Sequence, residues 1–272
     1  MVRSLWTAAT GMIAQQTNVD VISNNLANVN TMGYKTHTAQ FKTLLYQTIQ
    51  SKTTSANGDT KPVGAQVGLG VRNSAISTKY TQGALIDTGI QTDFAIEGDG
   101  FFAIQGLDGE TYYTRNGEFD LSIGNNGMIL TTKEGYPVLD DTGVPIELDA
   151  SQYEATKITI NGDGEMCYPD ELNNQQPIGV KVGLVQFSNP DGLDKLDESL
   201  FKVTEASGEA RWESDDPALH KSKVRQGYLE GSNVQVVDEM VNLIVAQRAY
   251  EMNSKVITTT DEMMSQANSL KR

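Results

Sequence analysis

Residues 23–35 read SNNLANVNTMGYK, and the fold turns on how this stretch is understood. Its apolar residues, Leu26 and Val29, continue a line that begins at Leu5 and runs through Ala8, Met12, Gln15, Val19 and Ile22. Steps of three and four are the spacing of one helix face, and sustained this long they describe a heptad seam. Only Gln15 interrupts its apolar character. What surrounds the seam is unusual. Asparagine, a weak helix former, stands at 24, 25, 28 and 30, and the only formal charge between 4 and 34 is Asp20. Thr7, Thr10, Gln16, Thr17, Asn18 and Ser23 fill the other faces. A water-facing helix normally carries lysine and glutamate there. An uncharged surface that can donate and accept hydrogen bonds suits a helix packed against protein on several sides, where an unpaired charge is expensive to desolvate. The expected assembly contacts on this segment are therefore Leu5, Met12, Val19, Ile22, Asn25, Leu26, Asn28 and Val29. Met32-Gly33 predicts the helix stop, since glycine commonly follows a helix end.

The other end of the chain repeats the pattern. Ser232 followed by Gln235 reads as a capping box, and Asp238-Glu239 suit the positive end of a helix dipole. A stripe then runs through Val237, Val241, Ile244, Val245, Ala249, Met252, Val256, Thr259, Met263 and Leu270, with Glu251 and Lys255 as an outer i,i+4 pair. Val241, Val245, Ala249, Met252, Val256 and Met263 are the expected assembly contacts here. At 1.5 Å per residue the two segments would reach about 40 and about 55 Å. Helices of that length are marginal in water unless their stripes are packed.

Between them the chain changes character. A shorter helix is expected after residue 35, with Phe41, Leu44, Leu45 and Ile49 on one face. Residues 51–70 (SKTTSANGDTKPVGAQVGLG) read as an extended connector. From about 71 to 230, turn signals recur at Asp108-Gly109, Asn116-Gly117, Asn126-Gly127, Glu134-Gly135 and Thr142-Gly143, the rhythm of short antiparallel strands. Strand-like runs lie at 111–115, 128–132 and 180–187. The expected fold class is α+β: long N- and C-terminal helices pairing as an α-helical coiled coil, with an inserted, mainly antiparallel all-β body. The expected domains are 1–50 helical, 51–70 connector, 71–230 β body with a possible subdomain near 145–220, and 231–272 helical.

Composition narrows the function. The 272 residues are 38% hydrophobic with a formal charge of −14, which argues against nucleic acid and anionic lipid as partners. No apolar run approaches the roughly 20 residues a membrane-spanning helix needs. The opening MVRSLWTAATGMIAQQ is interrupted by Thr7, Thr10 and Gly11 and predicts no cleaved secretory signal. Cys167 is alone.

Four chemical readings are weaker than their structural alternatives. Gly98, Gly100 and Ala103 fit a dinucleotide fingerprint, but Phe101, Phe102 and Ile104 read as a strand where the motif needs a helix. His37 and His220 lack companions for a zinc or nucleophilic site. Asn161, Asp163 and Glu165 lack the twelve-residue calcium-loop spacing. Phe94, Phe101, Phe102, Tyr112 and Tyr113 read as core aromatics before a sugar-stacking face. No catalytic, cofactor or metal residues are expected.

The stretch at 23–35 also resembles the N-terminal signature of the bacterial flagellar rod and hook proteins, as SNVQVVDEMVNLIVAQRAYEMNSKVITTTDEMM at 232–264 resembles their C-terminal segment. DFAIEGDGFFAI at 93–104 and YYTRNGEFDLSIGNNGMILTTKEGYPVL at 112–139 are similar to the family's first β domain. The resemblance implies a structural, non-catalytic subunit of the flagellar distal rod. Such a subunit would be exported without a cleaved signal through the flagellar export apparatus, and would self-assemble into a torque-transmitting tube that conducts other exported subunits. A proximal rod paralogue and, from another class, a peptidoglycan-binding wall module remain open. Implied partners are further copies of the chain, proximal rod proteins, hook protein, P-ring and L-ring proteins and the rod cap protein. The implied location is the basal-body rod in the periplasm and cell wall.

Overall fold

The computed structural model of the chain describes residues 2–50, 64–124, 127–149, 152–154, 157–170, 174–196 and 199–270. It has helices at both ends and a largely antiparallel β body, an α+β fold. Two compact units result. One comprises residues 1–27, 37–78 and 235–272, and the other 28–36 and 79–234. The chain thus leaves and re-enters each unit, and the stretch that closes the N-terminal helix belongs with the β body.

In the first unit, α1 (Val2–Ala27) and α2 (Val236–Ser269) span 26 and 34 residues, about 39 and 51 Å at 1.5 Å per residue. They lie side by side in opposite directions: Gly11 abuts Asn253, and Asn25 Nδ2 reaches Glu239 Oε2 at 3.4 Å. A β-carbon at Gly11 would sit 2.9 Å from Asn253 Nδ2. Ala8 and Ala14 on α1 and Ala246 on α2 are buried as well. The helix stops at Ala27, six residues before the expected Gly33, so Val29 lies beyond it. The expected capping box does not form either. Gln235 is the N-cap without a side-chain cap bond, and Ser232 Oγ accepts from Val234 N at 3.3 Å instead.

The helix expected around Phe41–Ile49 is not one. Residues there form β1 (His37–Thr43) and β2 (Tyr46–Gln50), paired antiparallel with β4 (Val71–Thr78) and β3 (Ala65–Gly68) respectively. Thr38, Phe41, Thr43, Tyr46, Thr48 and Ile49 are residues that favour strands, and their partner strands start well downstream, invisible to local periodicity. Within the expected connector, residues 64–70 are described and include β3, while 51–63 lie outside the described residues. Gly70, at φ +115, sits where a β-carbon would be 2.1 Å from Thr10 Oγ1, so the ribbon rests directly on α1.

The second unit is organised by a six-stranded sheet in the order Asp194–Lys195, Leu200–Lys202, Thr111–Thr114, Phe101–Gln105, Leu184–Gln186, Arg211–Trp212. Both faces are covered. Phe102, Ile104, Leu184 and Leu200 point into one core with Phe94, Phe119, Leu130 and Val138, whereas Phe101, Ala103, Val185 and Phe201 point into another with Leu139 and Leu193. The period of two along a strand separates adjacent Phe101 and Phe102 onto opposite faces. Edge-to-face packing orders both sides, Phe102 on Phe119 at 5.1 Å and Phe101 on Phe201 at 5.7 Å. Two three-stranded sheets flank it, Glu147–Leu148 with Met128–Thr132 and Phe119–Ile123, and Thr159–Ile160 with Glu165–Pro169 and Gln175–Lys181. The turns at Gly109, Gly135 and Gly143 have φ of +76, +93 and +81, the region glycine enters freely. Asn126 lies outside the described residues, and the Gly98 motif is a turn leading straight into strand Phe101–Gln105.

Candidate assembly surface

The polar surface of α1 is satisfied in two ways. Thr7, Thr10 and Thr17 donate their hydroxyls back to Arg3, Thr7 and Ile13 carbonyls at 3.1, 2.9 and 3.1 Å, so they do not compete for water. Asn25 is 1% exposed and grips the backbone of His37 from both sides, accepting from its N–H at 2.9 Å and donating to its carbonyl at 2.8 Å. That amide mimics a neighbouring strand at the start of β1. It is one answer to why asparagine appears on this helix.

The expected contact residues divide by position. On α1, Ile22 and Asn25 are buried, and Leu5, Met12, Val19 and Leu26 are half-buried. Asn28 and Val29 are half-buried in the loop beyond the helix, and Asn28 Oδ1 accepts from Thr31 Oγ1 at 3.0 Å. On α2 the face is different. Val241, Val245, Met252, Val256 and Met263 are exposed, Met252 at 64% and Val245 at 62%, and Ala249 is half-buried. The buried line of α2 is Ala246 and Thr260, with half-buried Leu243, Asn253, Ile257 and Met264 at the same spacing. The helix therefore carries two stripes at steps of three and four. The small, partly polar one is buried, and the larger Val/Met one is open. A groove of about 520 Å³ lined by Gln16, Val19, Gln247, Tyr250 and Glu251 runs beside it. The most apolar stripe is the one a sequence reading selects as the seam, which is why the buried line escaped it.

A second feature, in the β unit, gave no sequence signal. Glu230 is buried and its carboxylate is a hub: Lys35 Nζ at 2.5 Å and Gly83 N at 2.9 Å donate to Oε1, and Arg115 Nη1 at 3.1 Å donates to Oε2. Lys35 also donates to Thr81 O at 3.0 Å, and Arg115 to Gly98 O at 2.6 Å with its guanidinium 5.2 Å from the Phe101 ring. Side chains of all three ionic partners are at most 2% exposed. Burial, followed by the nearby Arg115 charge, pulls the Lys35 ammonium below the ordinary lysine range, against the opposing pull of Glu230. Alongside, Asn233 accepts from Thr36 N at 2.7 Å and donates to Lys79 O at 2.7 Å. Both segments that lead to the helices are thereby fastened within the β unit. Lys35, Arg115 and Glu230 lie 80 or more positions apart along the chain, and nothing local marks them as partners.

Among the described residues no cluster of His, Cys, Asp or Glu could hold a metal. Among the described residues no helix is long and apolar enough to cross a membrane.

Known protein families match three stretches of the chain. Residues 5–35 match the family described as flagella basal body rod protein, residues 95–168 the flagellar hook protein FlgE/F/G D1 domain, and residues 225–270 the flagellar basal body rod FlgEFG protein C-terminal. Over the whole of both chains the sequence is 44% identical to the flagellar basal-body rod protein FlgG of Borreliella burgdorferi. It belongs to the FlgG family of flagellar basal-body rod proteins. The FlgG of Agrobacterium fabrum is 45% identical over 97% of each chain, and that of Bacillus subtilis 38% over all of both. The protein is thus a structural subunit of the flagellar rod and belongs to the flagellar basal body. The matched terminal segments contain most of α1 and all of α2, and the D1 match covers Phe101, Phe102, Arg115 and Phe119 of the β unit.

Proposed function

We propose that this FlgG-family subunit builds the distal rod by polymerising through its terminal helices, which pair as an antiparallel coiled coil. The observation that carries the reading is the open Val/Met stripe of α2: Val237, Val241, Val245, Met252 and Met263 are each more than half exposed on one long helix. Such a surface on a rod subunit is supplied with a partner by neighbouring copies of the same chain. The small buried stripe, Ala246 and Thr260 with Gly11 opposite Asn253, fits close pairing inside one subunit, and leaves the larger stripe for contacts between subunits. In this reading Leu5, Met12, Val19, Ile22, Asn25 and Leu26 hold the pair together, and Val241, Val245, Met252, Val256 and Met263 join copies.

The polymer is a tube that carries torque and conducts exported subunits. Its other partners are the proximal rod, hook, ring and cap proteins, and the subunit reaches them through the export apparatus without a cleaved signal and without catalysis. Distal placement rests on the likeness of the opening stretch and on the FlgG relatives.

The test is Val245→Asp and Met252→Asp in the full chain. Both residues are largely exposed, so circular dichroism of the purified protein should match the parent. Sedimentation and electron microscopy should show loss of filaments, and a strain relying on either variant should be non-motile. Normal motility would refute the stripe as the contact between subunits.

A further inference from the structure

Glu230 is buried between two cations that arrive much earlier in the chain. Lys35 precedes it by 195 positions and Arg115 by 115. Until Glu230 is in place, closing the β unit would bury two like charges side by side in a site that leaves them at most 2% exposed. The repulsion is direct, since the Arg115 charge disfavours the Lys35 ammonium. Desolvating such a pair without its carboxylate is strongly unfavourable. The segment bearing Glu230 also holds the early stretch by backbone: Gly33 N donates to Glu230 O at 2.7 Å, and Gly231 N donates to Ala84 O at 2.8 Å. Gly33, at φ +70, lies where a β-carbon would be 2.9 Å from the Arg115 carbonyl carbon, so this stretch seats directly against the Arg115 backbone.

Stability alone would not choose this arrangement. Arg115 Nε is buried without a hydrogen-bond acceptor among the described residues, and apolar side chains of similar volume commonly replace buried ion clusters without loss. What the cluster provides is conditionality. We infer that Lys35, Arg115 and Glu230 form a completion lock, which keeps the β unit open until the segment at 228–234 joins the segment at 28–36. A chain that holds only its first 229 residues has both cations without the carboxylate that bonds to them, and Asp99 and Glu213 act on them only through space. The unit therefore closes last and all at once, when the strand that leads into α2 is delivered. The inference rests on the fold of the β unit and goes beyond the assembly reading, which can fail independently of it.

The experiment is pulsed hydrogen–deuterium labelling of the full-length chain during refolding from urea, read by mass spectrometry of peptides. Gly33, whose N–H donates to the backbone carbonyl of residue 230 and so needs no particular side chain there, reports the clasp. Strands Phe101–Gln105, Leu184–Gln186 and Lys223–Gln226 report the body. In the parent chain, body strands and Gly33 should gain protection in one phase. In Lys35→Met/Arg115→Met/Glu230→Leu the body should gain protection about tenfold earlier than Gly33, because nothing then makes closure wait. Glu230→Gln, which keeps the shape but strands both cations, should slow body protection by about tenfold or more. Three results overturn the lock. They are body protection preceding Gly33 in the parent chain, an unchanged single phase in the triple variant, or parental kinetics in Glu230→Gln. If the triple variant does not fold, the order of events in the parent chain decides the matter alone.

Discussion

Gly117 and Gly109 look alike in the sequence, each the second residue of a turn dipeptide, and the structure separates them. A β-carbon at Gly109 meets nothing within 4 Å, whereas one at Gly117 would lie 1.7 Å from Phe94 O, 2.8 Å from Phe94 C and 3.2 Å from Phe102 Cε2. Bringing that first contact out to the 3.0 Å that real β-carbons respect would shift the Phe94 peptide by about 1.3 Å (3.0 minus 1.7), a displacement of the overpacking kind. That movement breaks the bond from Phe94 N to Gly117 O, now 3.0 Å, and presses on Phe102, which is wholly buried. A lost backbone hydrogen bond removes about 1 kcal/mol and overpacking about 1 to 3, so Gly117→Ala should destabilise by about 2 to 4 kcal/mol. Gly109→Ala has open space but keeps φ at +76, and should lose only about 1 kcal/mol. Urea unfolding followed by the fluorescence of half-buried Trp212 in the β unit reads the difference; Trp6, 68% exposed on α1, supplies a background signal. With a slope of roughly 2 to 3 kcal/mol per M, the midpoint should fall by about 1 M for Gly117→Ala and by less than half of that for Gly109→Ala. Equal midpoints for the two variants would refute the close-approach reading.

Three further outcomes are expected. Asn25→Leu removes both bonds to His37 while keeping bulk, and should lower helix stability by about 2 kcal/mol in urea melts at 222 nm, against under about 0.5 for exposed Asn30→Ala. The Asp141 carboxyl is pushed up to about 6 by burial first and by the adjacent Asp140 second, against Lys181. A carboxyl raised in the folded state adds stability that is present below the ordinary aspartate range and lost as pH rises through about 6, so Asp141→Asn should flatten the urea midpoint between pH 4.5 and 7.5. Lys35→Met alone should destabilise more than Lys35→Met/Arg115→Met/Glu230→Leu, because the single change leaves Arg115 and Glu230 without their third partner while the triple leaves no charge in the hub; a calorimetric ranking in the opposite order would contradict this.

Much of the architecture was legible because it is written in short-range periodicity. The steps of three and four from Leu5 to Leu26 and from Val237 to Met263 specify two long helices, and the repeated turn dipeptides specify short antiparallel strands between them. The motifs at 23–35, 93–104, 112–139 and 232–264 likewise lie in continuous sequence, so the family could be read from them. Where signals were ambiguous the sequence misled. Phe41, Leu44, Leu45 and Ile49 fit a helix face as well as a ribbon, and only pairing with residues 65–78 decided for strands.

What the tertiary structure alone decided concerns partners distant in sequence. Which of the two stripes of α2 is buried depends on the shape of the opposing helix. Gly11 accepts Asn253 at close range, Ala246 and Thr260 are buried, and the more hydrophobic Val245 and Met252 remain open. The hub at Glu230 is likewise invisible in sequence. A lysine at 35, an arginine at 115 and a glutamate at 230 are ordinary surface residue types until a sheet desolvates them together. Local pattern fixes elements because backbone hydrogen bonding and side-chain period act within a few residues. Burial is set by what arrives from the far end of the chain.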